Sequence, residues 1–469
     1  MIRIDTRLTA RALLPAIDDL FALSAKKIAL IERTWNASAG TPVFTVRGRY
    51  TSRGWTEWTQ GFQFGSAILQ FDATGDEAML AIGRRTTVQH MASHVSHVGV
   101  HDHGFNNVST YGNLLRLARE GRTGASDWEI AFHELALKVS GAVQAARWTD
   151  LPEGLGYIYS FNGPHSLFAD TMRSLRSLAV GHALGHALMG ERDRKISLLE
   201  RLVQHAETNA RFNVYFGKGR DAYDVRGRVV HESVFNVNDG SYRCPSSQQG
   251  YSPFTTWTRG LAWVITGYAE QLEFLETRPE AEFTAIGRKK ASVRARFLDA
   301  ARATADFYLA QTPTCGVPYW DTGAPGLVHL GDYLDRPADP YNDHEPVDSS
   351  AAAITAQGLI RLGTYLTARG QRRDGTRYLA AGLTTARTLF SEPYLSTNPK
   401  HEGLLLHAVY HRPNGWDHIP RGRRIPCGES CMWGDYHVRE LALLVKRLAT
   451  RSAYYTFFGK GERGKGRKE

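Results

Sequence analysis

Apolar residues recur every three or four positions along most of the chain, the spacing that places them on one face of an α-helix. This pattern predicts about a dozen helices, typically separated by loops that carry Gly, Pro or Asn. The predicted helices span residues 7–32, 58–73, 77–95, 126–147, 166–188, 194–208, 256–275, 291–311, 349–368, 376–390 and 432–448, with a weaker candidate at 104–119. The pattern therefore favours an all-α fold.

Strand-like stretches are few. Residues 41–51 and 229–243 are the best candidates, and the second contains an Asp-Gly pair typical of a hairpin turn. Helical hairpins repeated about six times can close into a ring, in which each hairpin buries an apolar face that it cannot bury alone. The number of helices therefore predicts an (α/α)6 barrel, a six-hairpin toroid whose loops at one end line a central pit.

Composition and charge narrow the class of protein. The 469 residues are 42% hydrophobic and 22% charged, as in ordinary globular proteins. The net charge of +10 attracts polyanions. Part of this excess lies in residues 459–469, which we expect to form a disordered basic tail after a single catalytic domain of residues 1–458. Aromatic residues interleaved with a basic run, which are typical of nucleic-acid binding, are absent, and an acidic carbohydrate fits the charge equally well.

The sequence predicts no membrane association and no disulfide framework. It contains no run of eighteen apolar residues, and the N-terminal segment lacks the apolar stretch of a signal peptide. Cys427 and Cys431 form a C-x₃-C pair, which is weak evidence for zinc without a second pair. We therefore expect reduced thiols and a cytoplasmic protein.

Two segments near the N-terminal half combine aromatic and charged side chains. In WTQGFQFG, Trp58 stands at a helix start and can offer a flat face to a sugar ring, although core packing is favoured for a lone Trp. In VHDHGF, Asp102 lies between His101 and His103. This aspartate is either a catalytic carboxylate or an ordinary helix N-cap.

Two further segments add a second carboxylate and a polar aromatic platform. In SLFADTMRSLRSL, Asp170 is expected inside a helix, where burial would raise the pKa of its carboxyl and suit a general acid. The alternative is a surface ion pair with Arg173. The fourth segment, SQQGYSPFTTWTRGLAW, contains Gln248, Gln249, Trp257, Arg259 and Trp263. Its two indoles and its guanidinium at a helix start suit a carboxylated sugar, and the two neighbouring amides argue against a purely apolar role.

The histidine-rich run between Gln89 and His103 suggests a metal site. His90 and His94 are four residues apart, a spacing that can bind zinc on a helix. The glutamate of H-E-x-x-H and a distant third ligand are missing, so we predict no metal. We expect His101 to flank a catalytic carboxylate instead. G-x-S-x-G is also absent, which disfavours a serine hydrolase.

Taken together, these segments resemble the unsaturated glucuronyl hydrolases of glycoside hydrolase family 88, which are similar to the family 105 enzymes that act on unsaturated rhamnogalacturonides. HDHGF resembles the family's His-Asp-Leu/Ile-Gly-Phe, and FADTMRSLRSL resembles its Ile-Asp-Thr-Met-Met-Asn-Leu. QQGYSPFTTWTRGLAW is similar to its His-Gln-Gly-Tyr-Ser-Asp…Trp-Ala-Arg-Gly-Gln-Ala-Trp. PYWDTGAP, DSSAAA and SCMWGDY follow in the same order, and the likeness runs from about Trp58 to Tyr436.

The resemblance implies an (α/α)6 barrel and an enzyme that removes a 4,5-unsaturated uronic acid from lyase-generated acidic oligosaccharides. It implies that Asp170 protonates C4 of the unsaturated sugar and then activates water, while Asp102 stays ionised. It implies no metal and no organic cofactor. The substrate-binding residues that it implies are Trp58, His101, His231, Gln249, Trp257, Arg259 and Trp263, with His231 placed by its spacing to Gln249.

The sequence also departs from the family pattern. Arg173 and Ser174 stand where the family has Met and Asn, and residues 213–228 look like an insertion. The parent polysaccharide, the linkage, the sulfation and the oligomeric state stay open. Two other interpretations also stay open: a conventional glycosidase or polysaccharide lyase acting on uronates, and a non-catalytic binder of acidic glycans.

Overall fold

The computed structural model describes residues 1–54 and 57–459, and it is mainly helical with a few small sheets. Its helices are α1 Leu14–Thr34, α2 Gln60–Thr74, α3 Glu77–His90, α4 Ala92–Val95, α5 His103–Asn107, α6 Asn113–Arg119, α7 Asp127–Ala146, α8 Thr171–Ser174, α9 Arg176–Ala183, α10 Leu198–Phe212, α11 Thr258–Glu276, α12 Glu280–Ala285, α13 Lys290–Gln311, α14 Ser349–Ala368, α15 Arg372–Leu389 and α16 Met432–Thr450. Its strands are β1 Phe44–Val46, β2 Arg49–Thr51, β3 Trp148–Leu151, β4 Leu155–Ile158, β5 Ser166–Phe168, β6 Ala187–Met189, β7 Lys195–Ser197, β8 Glu232–Phe235 and β9 Tyr242–Ser246. The predicted basic tail, 459–469, lies outside the described residues except for Gly459.

Most of the predicted elements are present, and the two predicted β regions contain the hairpins β1–β2 and β8–β9. One prediction is wrong. Residues 166–188 form no single helix, because β5 pairs with β8 and only the short helices α8 and α9 follow it before β6. This pairing joins segments more than 60 residues apart, so local apolar spacing could not reveal it. Asp170 consequently precedes a short helix and does not sit inside a long one.

Six helical stretches of the described chain contact one another in a closed order. The helix α2 contacts α5, α5 contacts α8 and α9, α8 contacts α11, α11 contacts α14, α14 contacts α16, and α16 contacts α2. The helices α1, α3, α7, α10, α13 and α15 each pack against members of this ring. Outer and ring helices alternate along the chain, so the ring helices run in one direction and their starts meet at one end.

A cluster of buried charges joins four ring segments. Arg173 of α8 contacts Glu270 of α11 and lies 3.1 Å from Glu440 of α16. Arg176 of α9 lies 3.5 Å from Glu440, and Arg361 of α14 lies 3.9 Å from Glu270. Burial alone would raise the pKa of Glu440, but the charges of Arg173 and Arg176 lower it to about 2. Buried charges are tolerated when they are paired, so this cluster constrains how the four segments pack.

The helices α5 and α8 approach most closely at Gly104. A Cβ atom at this position would lie 2.3 Å from the backbone oxygen of Ser174, so a larger residue does not fit. The Gly104 amide donates to Ser174 Oγ at 2.9 Å, and its carbonyl oxygen accepts from Arg176 Nε at 2.7 Å. Asp102 and Asp170 immediately precede these two helices, so the contact also sets the spacing between the aspartates.

The substitution Gly104→Ala tests this contact. We expect it to lower the free energy of unfolding by about 1–3 kcal/mol, because the added methyl group pushes α5 away from α8. Urea unfolding followed by circular dichroism measures the change. Gly54→Ala, where an added Cβ meets no atom within 4 Å, is the control and should change stability by less than about 0.5 kcal/mol. Equal effects of the two substitutions would contradict the proposed constraint.

No helix in the two described ranges, 1–54 and 57–459, has both the length and the apolar character needed to cross a membrane.

Candidate active site

Residues at the starts of the ring helices α2, α5, α8 and α11 line a cavity of about 720 Å³. Aromatic, amide and titratable side chains line its wall. Eight of the nine residues that the sequence places in the site line this cavity, namely Trp58, His101, Asp102, Asp170, Gln249, Trp257, Arg259 and Trp263. Residues far apart in the sequence therefore meet in one pit, as the toroid prediction requires.

Asp102 and Asp170 occupy equivalent places in the ring. Each stands in the N-cap position of the helix that follows, yet neither side chain makes a capping hydrogen bond. Both carboxylates instead line the cavity, with 11% and 10% of their side-chain surface exposed. A surface ion pair between Asp170 and Arg173 is excluded, because Arg173 is fully buried against Glu270 and Glu440.

His101 lies between the two carboxylates. Its Nε2 atom is 3.4 Å from Asp170 Oδ1 and 3.9 Å from Asp102 Oδ1. Burial lowers the pKa of His101, but the two aspartates outweigh burial and raise this pKa above 6.5. Burial raises the pKa of Asp102 and is the dominant effect there.

The pKa of Asp170 differs from the sequence-based expectation. Burial raises it, as expected, but the interaction with His101 and the charges of His231 and Arg259 outweigh burial and lower it. The proton nearest to Asp170 therefore rests on His101. Because the groups are coupled, His101 and Asp170 titrate as a pair that shares this proton. The effect depends on a side-chain contact in three dimensions, which the sequence alone did not reveal.

Arg259 is held firmly in the cavity wall. Its guanidinium lies 4.7 Å from the ring centre of Trp257. It donates to Asp348 Oδ2 at 3.1 Å, to the Tyr410 carbonyl oxygen at 2.7 Å and to Gln249 Oε1 at 3.0 Å. Most of its donors are thus used within the protein. The bond to Oε1 orients Gln249, whose amide nitrogen has no partner among the described residues and can donate to a ligand.

His231 lies behind the cavity wall and does not line it. Its Nδ1 atom accepts hydrogen bonds from the backbone amides of Gln248 at 3.0 Å and Gln249 at 3.2 Å. Burial lowers the pKa of His231 to about 4, so the ring is neutral at pH 7 and carries its proton on Nε2. Its ring centre is 4.8 Å from that of Trp257. This geometry makes His231 a support for the cavity residues beside it.

Stacked aromatic rings form the opposite wall. Trp58 stacks on Trp433 with ring centres 4.9 Å apart, and Trp263 contacts Phe105 at 4.8 Å. Sequence reasoning missed four further lining residues that lie outside regular helices, Phe161, Tyr410, His411 and Trp416. The only sequence signal for the last three is a concentration of aromatic residues beside Pro, Asn and Gly in YHRPNGWDH.

The other histidines of the histidine-rich run make protein contacts. His94 Nε2 lies 2.8 Å from Gln60 Oε1, and His103 Nδ1 lies 3.0 Å from Ser140 Oγ. Across the chain outside residues 55–56 and 460–469, no group of three or more His, Cys, Asp or Glu side chains is arranged to hold a metal ion.

A basic loop follows the cavity residues His411 and Trp416. Four arginines lie in this loop, namely Arg412, Arg421, Arg423 and Arg424. None of them forms an ion pair in the described part of the chain, although the charge of Arg412 lowers the pKa of Asp417. The loop starts at the cavity wall, and its positive charge attracts an anionic ligand.

No family model matches the chain. It is 25% identical over 448 residues to an unsaturated glucuronyl hydrolase of Bacillus sp. (strain GL1), an alignment that covers 93% of this chain and 97% of that protein. The chain is therefore similar over nearly its whole length to unsaturated glucuronyl hydrolases. An unsaturated chondroitin disaccharide hydrolase of Streptococcus pyogenes serotype M1 is 23% identical, with 90% of this chain and 89% of that protein covered.

A solved structure of an unsaturated glucuronyl hydrolase specific for heparin superimposes with a TM-score of 0.69. The alignment covers 93% of this chain and 98% of that chain at 19% identity, so the two proteins share a fold.

The contact between His101 and the aspartates predicts that the stability of this protein depends on pH. The lowered pKa of Asp170 stabilises the folded protein at pH values above 3.8, the ordinary pKa of an aspartate. The raised pKa of His101 stabilises it at pH values below 6.5, the ordinary pKa of a histidine. We expect His101→Gln to be most destabilising between these values. At lower pH the aspartates of the variant become protonated, and at higher pH wild-type His101 loses its charge.

Urea unfolding of the His101→Gln variant at several pH values from 4 to 9 measures this difference. The exposed His329→Gln variant is the control for loss of an imidazole. A loss of stability that does not change with pH would contradict the charge pairing.

Proposed function

We propose that this protein is a glycoside hydrolase that releases a terminal 4,5-unsaturated uronic acid from lyase-generated acidic oligosaccharides. The observation that carries this proposal is the meeting of Asp102 and Asp170 around His101 in an aromatic cavity. The full-length similarity to unsaturated glucuronyl and chondroitin disaccharide hydrolases supports it. The basic loop beside the cavity suits an acidic substrate.

We also propose that residues 1–458 form a single (α/α)6 barrel. The closed order of contacts among the ring helices and the alternation of outer and ring helices support this architecture. In such a barrel, six loops at one end contribute to one pit. This arrangement accounts for a site assembled from residues between Trp58 and Trp416.

The proposed reaction begins at the C4=C5 double bond, which is part of a vinyl ether. Asp170 donates a proton to C4, and positive charge develops at C5 and the ring oxygen. Asp170, now a carboxylate, removes a proton from a water molecule whose oxygen adds to C5. The product is a hemiketal; when its ring opens, C1 becomes a hemiacetal that releases the remaining oligosaccharide as an alcohol. One water molecule is consumed, and Asp170 regains its proton.

His101 supplies the proton that Asp170 needs. The 3.4 Å contact allows the shared proton to pass from His101 Nε2 to Asp170. A uronate carboxylate that lies nearer to Asp170 than to His101 raises the pKa of Asp170 more than that of His101 and so favours this transfer. Sugar hydroxyl groups that donate to Asp102 stabilise its ionised form, which then faces the developing positive charge.

The remaining residues orient the sugar. The free amide nitrogen of Gln249 can donate to the uronate carboxylate, and Arg259 keeps that amide in place. Trp58, Trp257 and Trp263 present indole faces to the ring. His231 holds the backbone of Gln249 from behind.

The substitution Asp170→Asn tests the catalytic assignment. We expect kcat to fall by about 10²–10⁴-fold, because the amide can neither donate the proton nor activate water. The assay follows loss of the ultraviolet band of the unsaturated uronate on hyaluronan, chondroitin and heparin disaccharides, with circular dichroism to confirm folding. Near-normal turnover by the variant would refute the assignment. Release of reducing ends from the wild-type reaction without loss of the band would indicate a conventional glycosidase.

The shared proton predicts a shift in the pH profile. The pair keeps its proton up to the raised pKa of His101, so wild-type kcat/KM should fall only above pH 6.5. In the His101→Gln variant Asp170 must hold the proton alone, and the basic limb should move to lower pH. Initial rates between pH 5 and 9 provide the comparison. An unchanged basic limb would show that His101 does not hold the proton.

A further inference from the structure

A second depression adjoins the mouth of the cavity. This side groove has a volume of about 180 Å³ and lies between α1, α2 and α3. It shares Ala37, Gly40 and Gln60 with the cavity wall. A linear ligand that leaves the cavity past Gln60 therefore enters the groove directly.

The groove has one aromatic wall that is fixed in position. Trp35 follows α1 and is partly exposed. Its Nε1 atom donates to the Gly40 carbonyl oxygen at 3.0 Å, which holds the indole against the segment shared with the cavity. A fixed and partly exposed indole offers a flat apolar face with little entropy left to lose on binding.

Amide side chains without protein partners lie on the helices opposite. Gln63 of α2 and Gln89 of α3 line the groove, and neither side chain makes a hydrogen bond to another described residue. Each amide offers two donor hydrogens and an acceptor oxygen. Such groups match the hydroxyl groups of a sugar, which also both donate and accept.

The charges of the groove cancel. Arg85 and Glu32 both line it, and they pair with each other. A buried or half-buried anion would find no unpaired cation in this part of the groove. The groove is therefore suited to an uncharged ring, in contrast to the cavity with its uronate-binding side chains.

We propose that the side groove binds the uncharged third sugar of an oligosaccharide whose only acidic ring is the terminal unsaturated uronate. This third sugar lies beyond the second sugar, which carries that uronate. In this proposal the ring packs on Trp35 and accepts hydrogen bonds from Gln63 and Gln89. It rests on the proposed function, because the substrate must extend from the cavity. The enzyme then acts more efficiently on an unsaturated tetrasaccharide than on the corresponding disaccharide.

The test compares kcat/KM for an unsaturated tetrasaccharide whose only acidic ring is the terminal uronate and for the unsaturated disaccharide that corresponds to its first two sugars. We expect the wild-type protein to prefer the tetrasaccharide. The double variant Gln63→Leu/Gln89→Leu removes both amides, and we expect the ratio of tetrasaccharide to disaccharide kcat/KM to fall about tenfold. The disaccharide value itself should stay within about twofold, because neither glutamine lines the catalytic cavity.

Val88→Leu is the matched control. It places a leucine at the neighbouring exposed position of α3, outside the groove, and should leave the ratio unchanged. An unchanged ratio in the double variant would overturn the groove assignment. An equal fall in the control would also overturn it, because the effect would then not come from the groove.

A binding measurement separates failure of this inference from failure of the proposed function. Titration calorimetry on the Asp170→Asn protein compares the affinities for the two oligosaccharides without turnover. Tighter binding of the tetrasaccharide that is lost in the triple variant with Gln63→Leu and Gln89→Leu supports the groove, even if wild-type protein turns over neither sugar. Equal affinities for the two lengths would overturn it.

Discussion

The close contact between Gly104 and Ser174 is the constraint on which the site depends. It allows α5 and α8 to lie closer together than any side chain at position 104 would permit. The bonds from Gly104 to Ser174 and Arg176 keep these helices at that separation. The aspartates come immediately before the two helices. The backbone contact therefore fixes the distance between the backbone positions of the two aspartates, whatever rotamers their side chains adopt.

This fixed separation explains how two similar carboxyl groups acquire different properties. His101 is placed where it contacts both, but its contact with Asp170 is the shorter one, at 3.4 Å compared with 3.9 Å. The imidazole therefore lowers the pKa of one carboxyl below its ordinary value, while burial keeps the pKa of the other above it. One histidine thus makes the two carboxyl groups chemically unequal, as two carboxyl groups with different roles in one reaction require.

Local sequence patterns were sufficient for the long helices and insufficient for the junctions between them. The start of α11 at Thr258 follows from apolar spacing, and so does the position of Arg259 in the first turn of the helix. The end of β5 near Asp170 depends on pairing with β8, a segment more than 60 residues away. Similarly, Arg173 has distant partners on α11 and α16, and Tyr410 and Trp416 reach the cavity from loops. Each of these features depends on contacts between segments, which periodicity does not record.

The shared direction of the ring helices has a consequence for substrate choice. The helices α2 and α11 have 15 and 19 residues, and both begin with residues that line the cavity. Their peptide dipoles place partial positive charge at that end. Attraction for a negatively charged sugar thus arises in part from the main chain. Substitutions of side chains at the rim of the cavity can therefore alter which sugar is accepted, while the affinity for its acid group persists.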